Sequence, residues 1–99
     1  MLFRMARESD FAKEREIMAL QRAARLRGLR EAEGFSQRDL ANRLDVTIRT
    51  IRNWESGFTF PQWEILRRLA DFYDVSVVYL RTGQHDVHEP FRGRRRYSG

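Results

Sequence analysis

The stretch from Ser36 to Gly57 carries start and stop signals for two helices with almost no chain between them. Ser36-Gln37-Arg38-Asp39 is a capping-box pattern, in which the serine oxygen accepts from the amide three residues on and Asp39 reaches back to the cap. Leu40, Ala41 and Leu44 then fall on one helical face. Asp45-Val46 is the turn, Thr47 caps a second helix running to about Glu55, and Gly57 ends it. At roughly 100° per residue, Ile51 and Trp54 mark the buried side of that second helix. Arg49 and Asn53 lie opposite, Arg52 stands beside them, and Ile48 sits at the N-terminal edge. No acid occurs between residues 46 and 54.

Two short helices joined by a three-residue turn make a helix-turn-helix unit, here residues 36–57. An outward face of Arg49, Arg52 and Asn53 suits the major groove, where arginine pairs with guanine and asparagine with adenine. Ile48 and the Thr47 methyl can meet a thymine methyl. Nine residues alone leave a second reading open, since a solvated helix face is also usually polar and often basic.

The flanking chain is helical too. Ser9 or Asp10 can start a helix that ends at Glu33 before Gly34. Its apolar residues form two stripes, Leu26 with Leu29, and Ile17 with Leu20 and Ala24. Either the helix breaks near residues 20–25, or it is long and its second stripe docks elsewhere, on this domain or on a second copy. Pro61 suits the first turn of a fourth helix, with Trp63, Leu66, Leu69, Ala70 and Tyr73 expected in the core. Phe58-Thr59-Phe60 either packs under Trp63 or presents an aromatic to the sugar-phosphate edge. Ser76 caps a short fifth helix, Val77 to Leu80, and beyond Gly83 the arginine-rich chain reads as a disordered basic tail.

Composition narrows the classes. Ninety-nine residues make one domain with a modest core, too small for a deep, walled enzyme cleft. Without cysteine there is no disulfide, thiolate metal site or thiol nucleophile. The net charge of +5 and pI near 10.6 favour an anionic partner, nucleic acid first. Of the nineteen basic residues only Lys13 is lysine, a bias that suits forked contacts to phosphate and guanine but also follows from genome composition. His85-x-x-His88-Glu89 offers two imidazoles on no ordered scaffold, too few for zinc. The expectation is a non-enzyme without cofactor or metal. No apolar run is long enough for a membrane and no secretory signal opens the chain, which reads as soluble, cytoplasmic and nucleoid-associated.

The pattern from Leu26 to Gly83 resembles the Cro/phage-repressor (Xre) family of helix-turn-helix proteins. It is carried by Leu26-x-x-Leu29-Arg30, Gly34-Phe35-Ser36-Gln37-x-x-Leu40-Ala41 and Val46-Thr47-x-x-Thr50-Ile51-x-x-Trp54-Glu55-x-Gly57. It continues through Pro61, Leu66-x-x-Leu69-Ala70 and Val75-Ser76-Val77-x-x-Leu80. The resemblance implies an all-α, five-helix domain at 25–83; outside it the chain reads as a partly helical extension at 1–24 and the flexible tail at 84–99. It implies base contacts from Thr47, Ile48, Arg49 and Asn53, with Arg52 placed beside them. Phosphate contacts fall to Gln37, Arg43 and Ser56, with Arg38 added, and Gln37 also braces the recognition helix. Arg30 and Glu55 match a structural ion pair, and the fifth helix, with Val77, Val78 and Tyr79, matches a dimer surface. The chain departs from the pattern at Asp45 and Asp74, where glycine is usual. The function implied is a homodimeric transcriptional regulator, a repressor on an inverted-repeat operator of double-stranded DNA. The alternative is an antitoxin that binds a toxin protein, through residues 1–24 or the tail, and autoregulates its operon.

Overall fold

Five helices follow one another in the computed structural model, which describes residues 8–85. They are α1 (Glu8–Ala32), α2 (Gln37–Leu44), α3 (Ile48–Ser56), α4 (Trp63–Tyr73) and α5 (Val77–Thr82), with no strand among the described residues. The tail from residue 86 onward, with the His88-Glu89 half of the histidine motif, lies outside the described residues. No described helix is long and apolar enough to cross a membrane.

Local capping chemistry sets most of the boundaries. The Ser36 hydroxyl accepts from Asp39 N at 3.0 Å while the Asp39 carboxylate accepts from Ser36 N at 3.1 Å. Hydrogen bonding from Ser36, its backbone N–H first and its side chain second, holds the Asp39 carboxyl below the usual carboxylate range. Thr47 and Ser76 cap α3 and α5 through the amides of Thr50 and Tyr79. Asp45 and Asp74 take the left-handed conformation at the ends of α2 and α4, with φ of 60° and 57°. Aspartate tolerates that region better than most residues, so both turns form without glycine. Pro61 falls just ahead of the Gln62 cap and not, as expected, inside the first turn of α4.

Helices of six to eleven residues are too short to persist alone, so packing holds α2 to α5. Leu26, Leu40, Ala41, Leu44, Ile51, Trp54, Leu66, Leu69, Ala70, Tyr73 and Leu80 form one buried cluster. Ile51 is completely buried, and its side chain contributes about 1.5–3 kcal/mol by leaving water. Trp63, expected in the core, is instead 57% exposed. It is the first residue of α4, and helical side chains lean toward the N-terminus, so its indole projects past the body. Phe60 takes the inward place, with the Arg22 guanidinium 4.9 Å above its ring.

The long alternative for the first helix is the one observed. α1 runs 25 residues without a break, about 37 Å at 1.5 Å per residue. Ala23, Leu26 and Arg30 are buried on its inner side, against α3 and α5. Arg25 donates to the Leu80 and Arg81 carbonyls and so ties α1 to the last turn of α5. Ile17 and Leu20 of the second stripe stay about half exposed, so that stripe does not bury itself in its own domain.

One charged pair enters the interior. Arg30 donates from Nε and Nη2 to the two Glu55 oxygens at 2.8 and 2.9 Å, and from Nη1 to Phe35 O at 2.6 Å. Gln37 donates to Glu55 Oε1 at 3.1 Å. The side chains of the pair are 9% and 5% exposed, and the Glu55 hydrogen bonds hold the guanidinium above its ordinary pKa.

Two predictions follow from this interior. Arg30→Met leaves a buried carboxylate unpaired and costs about 3–5 kcal/mol in urea unfolding. The double variant Arg30→Met/Glu55→Leu is then less damaged than the Arg30 single variant. Tyr73 supplies the second test. Its hydroxyl is buried without a hydrogen-bond partner among the described residues, and burial, then the Glu55 charge, raises its pKa from 10.0. Because the folded value is the higher one, the stability linked to this proton is complete below pH 10. It is lost as pH rises beyond that, where the unfolded chain ionises first. Tyr73→Phe removes this alkaline decline and costs no stability near pH 7.

Candidate nucleic-acid interface

The surface of interest follows from which side of α3 is buried. Ile51 and Trp54 anchor it inward, so Arg49 and Arg52 emerge exposed and Asn53 half-exposed on the other side. Thr47 spends its hydroxyl on the cap, at 3.1 Å from Thr50 N, which leaves its methyl as the outward group. Ile48 is half-buried at the helix start. Four of the five base-readout candidates therefore sit on one short helix, on or beside its outward face, and the fifth, Thr47, is its N-cap.

The four residues assigned to phosphate are distributed less evenly. Gln37 bridges two elements: its amide nitrogen holds Glu55, and its carbonyl accepts from Arg52 Nε at 3.4 Å. This chain from Arg30 through Glu55 and Gln37 to Arg52 orients an exposed guanidinium by way of a buried ion pair. Arg38 is exposed at the start of α2. Ser56 is exposed at the end of α3, where its hydroxyl donates to Asn53 O at 3.1 Å. Arg43 stands in a different neighbourhood, its guanidinium 4.9 Å from the Phe35 ring centre and 5.6 Å from that of Phe72.

Glu55 is the sole acid of α3, and its charge faces inward to Arg30. What remains outward is positive, except for two exposed acids, Asp45 in the turn and Asp39 in the capping box of α2. Ionised phosphates and the acceptor edges of guanine meet such a surface favourably.

The loop after α3 brings a feature that its sequence left open. Gly57 has φ +87°, and a Cβ there would stand 3.2 Å from Leu20 Cδ2 of α1, so both backbone and space select glycine. Phe58 follows it at 78% exposure while Phe60 turns inward, so the two aromatics of the segment part company. Arg15, Ala19 and Arg22 of α1 line an open cleft with this loop. Those α1 arginines carry no sequence motif and become visible only once the helix is seen to pass the end of α3. His85 stacks on Tyr79 with centroids 5.0 Å apart, and no described group of three His, Asp or Glu is placed to hold a metal.

Comparison with known proteins covers the same part of the chain. The transcriptional activator BcrR of Enterococcus faecalis is 33% identical over 60 residues, 61% of this chain and 29% of the relative. The transcriptional regulator ImmR of Bacillus subtilis is 30% identical over 56 residues, 57% of this chain and 44% of the relative. The chain thus spans less than half the length of either protein. No solved structure matches. The family model for the helix-turn-helix domain matches residues 22–82, from the middle of α1 to the end of α5. The chain belongs to the helix-turn-helix domain family.

Proposed function

We propose that the protein is a sequence-specific regulator of transcription that binds double-stranded DNA as a homodimer, with α3 in the major groove. The observation that carries this is the division of α3: Ile51 and Trp54 buried, Arg49, Arg52 and Asn53 outward, and the helix's one carboxylate neutralised inside. Two relatives, one named as a transcriptional activator and one as a transcriptional regulator, share this region. In this reading Thr47, Ile48, Arg49, Arg52 and Asn53 read base edges. Gln37, Arg38, Ser56 and, from its aromatic seat, Arg43 meet the backbone. The protein acts as a repressor by occupying an inverted repeat, whose half-sites lie about one turn of DNA, ~34 Å, apart.

Site selection from random duplex DNA supplies the operator for the test. Arg49→Ala should then weaken operator binding by about 1–3 kcal/mol and relax preference at one base pair of each half-site. Arg38→Ala should weaken all sequences alike and lower the salt slope by about one. If Arg49→Ala weakens every sequence equally, Arg49 contacts phosphate and the base-reading role is wrong. Failure of the wild-type chain to be retained by any duplex at low salt would remove the reading altogether.

A further inference from the structure

The outer side of α1 carries a seam that its own domain leaves largely exposed, although Leu20 Cδ2 lies beside Gly57. Lys13, Ile17, Leu20, Ala24, Arg27 and Glu31 recur at alternating intervals of four and three, and all six are exposed. That spacing keeps one line of side chains facing a partner helix over several turns. The middle of the seam is apolar, with Ile17 at 54% and Leu20 at 52% exposure. Its ends are charged. The opposite side of the helix is already committed, through Ala23, Leu26 and Arg30, to α3 and α5. Nucleic acid does not suit the seam, whose centre is apolar and whose charges are of both signs.

We propose that this seam pairs with the same seam of a second copy, antiparallel, about a two-fold axis level with residue 22. That axis places Lys13 opposite the partner's Glu31 and Leu20 opposite the partner's Ala24, a large side chain on a small one. Ile17 meets the aliphatic stem of the partner's Arg27, whose charged head reaches water. Glu16, one residue off the line, lies near the same guanidinium. Each contact occurs twice by symmetry. A parallel arrangement would instead oppose Lys13 to Lys13, Arg27 to Arg27 and Glu31 to Glu31. Within each helix Glu31 also meets Arg27 at 3.1 Å and, at the longer distance of 3.9 Å, Arg30. Glu31 and Arg27 are more than half exposed, and such pairs contribute little in water, so the carboxylate stays available to a partner. The proposal stands apart from the DNA reading, because it concerns a different face and needs no base contact.

Because the chain has no cysteine, disulfide trapping reads the register directly. Within one helix, residues 13 and 31 are about 27 Å apart, too far to bridge. Under mild oxidation Lys13→Cys/Glu31→Cys should give a covalent dimer, and neither single variant should cross-link to itself. Leu20→Glu should halve the mass found by sedimentation equilibrium while helical circular dichroism is unchanged, since the site is exposed. A wild-type chain that sediments as one copy at high micromolar concentration would overturn the proposal. So would a dimer that survives Leu20→Glu, held for instance through α5, or single variants that cross-link to themselves. A dimer of this register that retains no DNA would leave the interface standing and remove only the functional reading.

Discussion

The ion pair between Arg30 and Glu55 is the constraint on which the geometry of the helix-turn-helix unit depends. It joins the end of α1 to the last turn of α3 and fixes the α1–α2 loop through the Phe35 carbonyl. Gln37 then ties the start of α2 to the same carboxylate. Three helices and a loop therefore meet at one pair of buried charges. Such a pair adds little net stability over well-packed apolar residues of the same shape, because desolvation offsets most of the attraction. Its effect is positional: an apolar contact would tolerate α3 sliding by a fraction of a turn, whereas two parallel hydrogen bonds do not. A helix that reads base edges needs that restriction, since misplaced side chains lose their bonds to the bases.

The same pair resolves an electrostatic conflict. A carboxylate on a helix directed at DNA would repel phosphate, yet the structural link requires one. Placing Glu55 on the inner side with Arg30 satisfies the link and hides the charge. Asp45 is a smaller version of the problem. It holds the left-handed residue ending α2, where glycine is the ordinary choice, and leaves a carboxylate in the turn. Aspartate can occupy that conformation, so the turn is kept and the exposed acid remains, screened by water and salt.

Much of the helix-turn-helix unit could be read from residue types because its signals are local. Ser36, Thr47 and Ser76 cap helices through bonds spanning three residues, and nothing distant competes with them. The inward placement of Ile51 and Trp54 follows from their spacing for the same reason. Readings that depended on where an element meets the rest of the body fared differently. Trp63 has the right spacing from Leu66 to be core, but its side chain leans past the helix start. Wheel geometry has no term for the ends of a domain. The continuity of α1 was open because two apolar stripes look the same whether a helix breaks between them or uses both sides. Arg25 on the α5 carbonyls and Arg22 over Phe60 are contacts between segments tens of residues apart. No local pattern encodes them.

That ambiguity in α1 has a physical origin that also explains its shape. A helix buried on one side needs one apolar stripe, and Leu26 and Leu29 begin such a stripe where α1 meets the bundle. Toward its N-terminus the inner side has less of the body to meet, and Ile17 and Leu20 stay about half exposed, Leu20 beside Gly57. If burial in one domain were the sole demand, polar residues there would serve better, because exposed aliphatic side chains gain nothing from water. Their presence at heptad-like spacing, between charges that complement themselves under a two-fold rotation, matches burial by an identical helix. The inner side of α1 then positions α3 within one chain, and the outer side is left for the pairing proposed above.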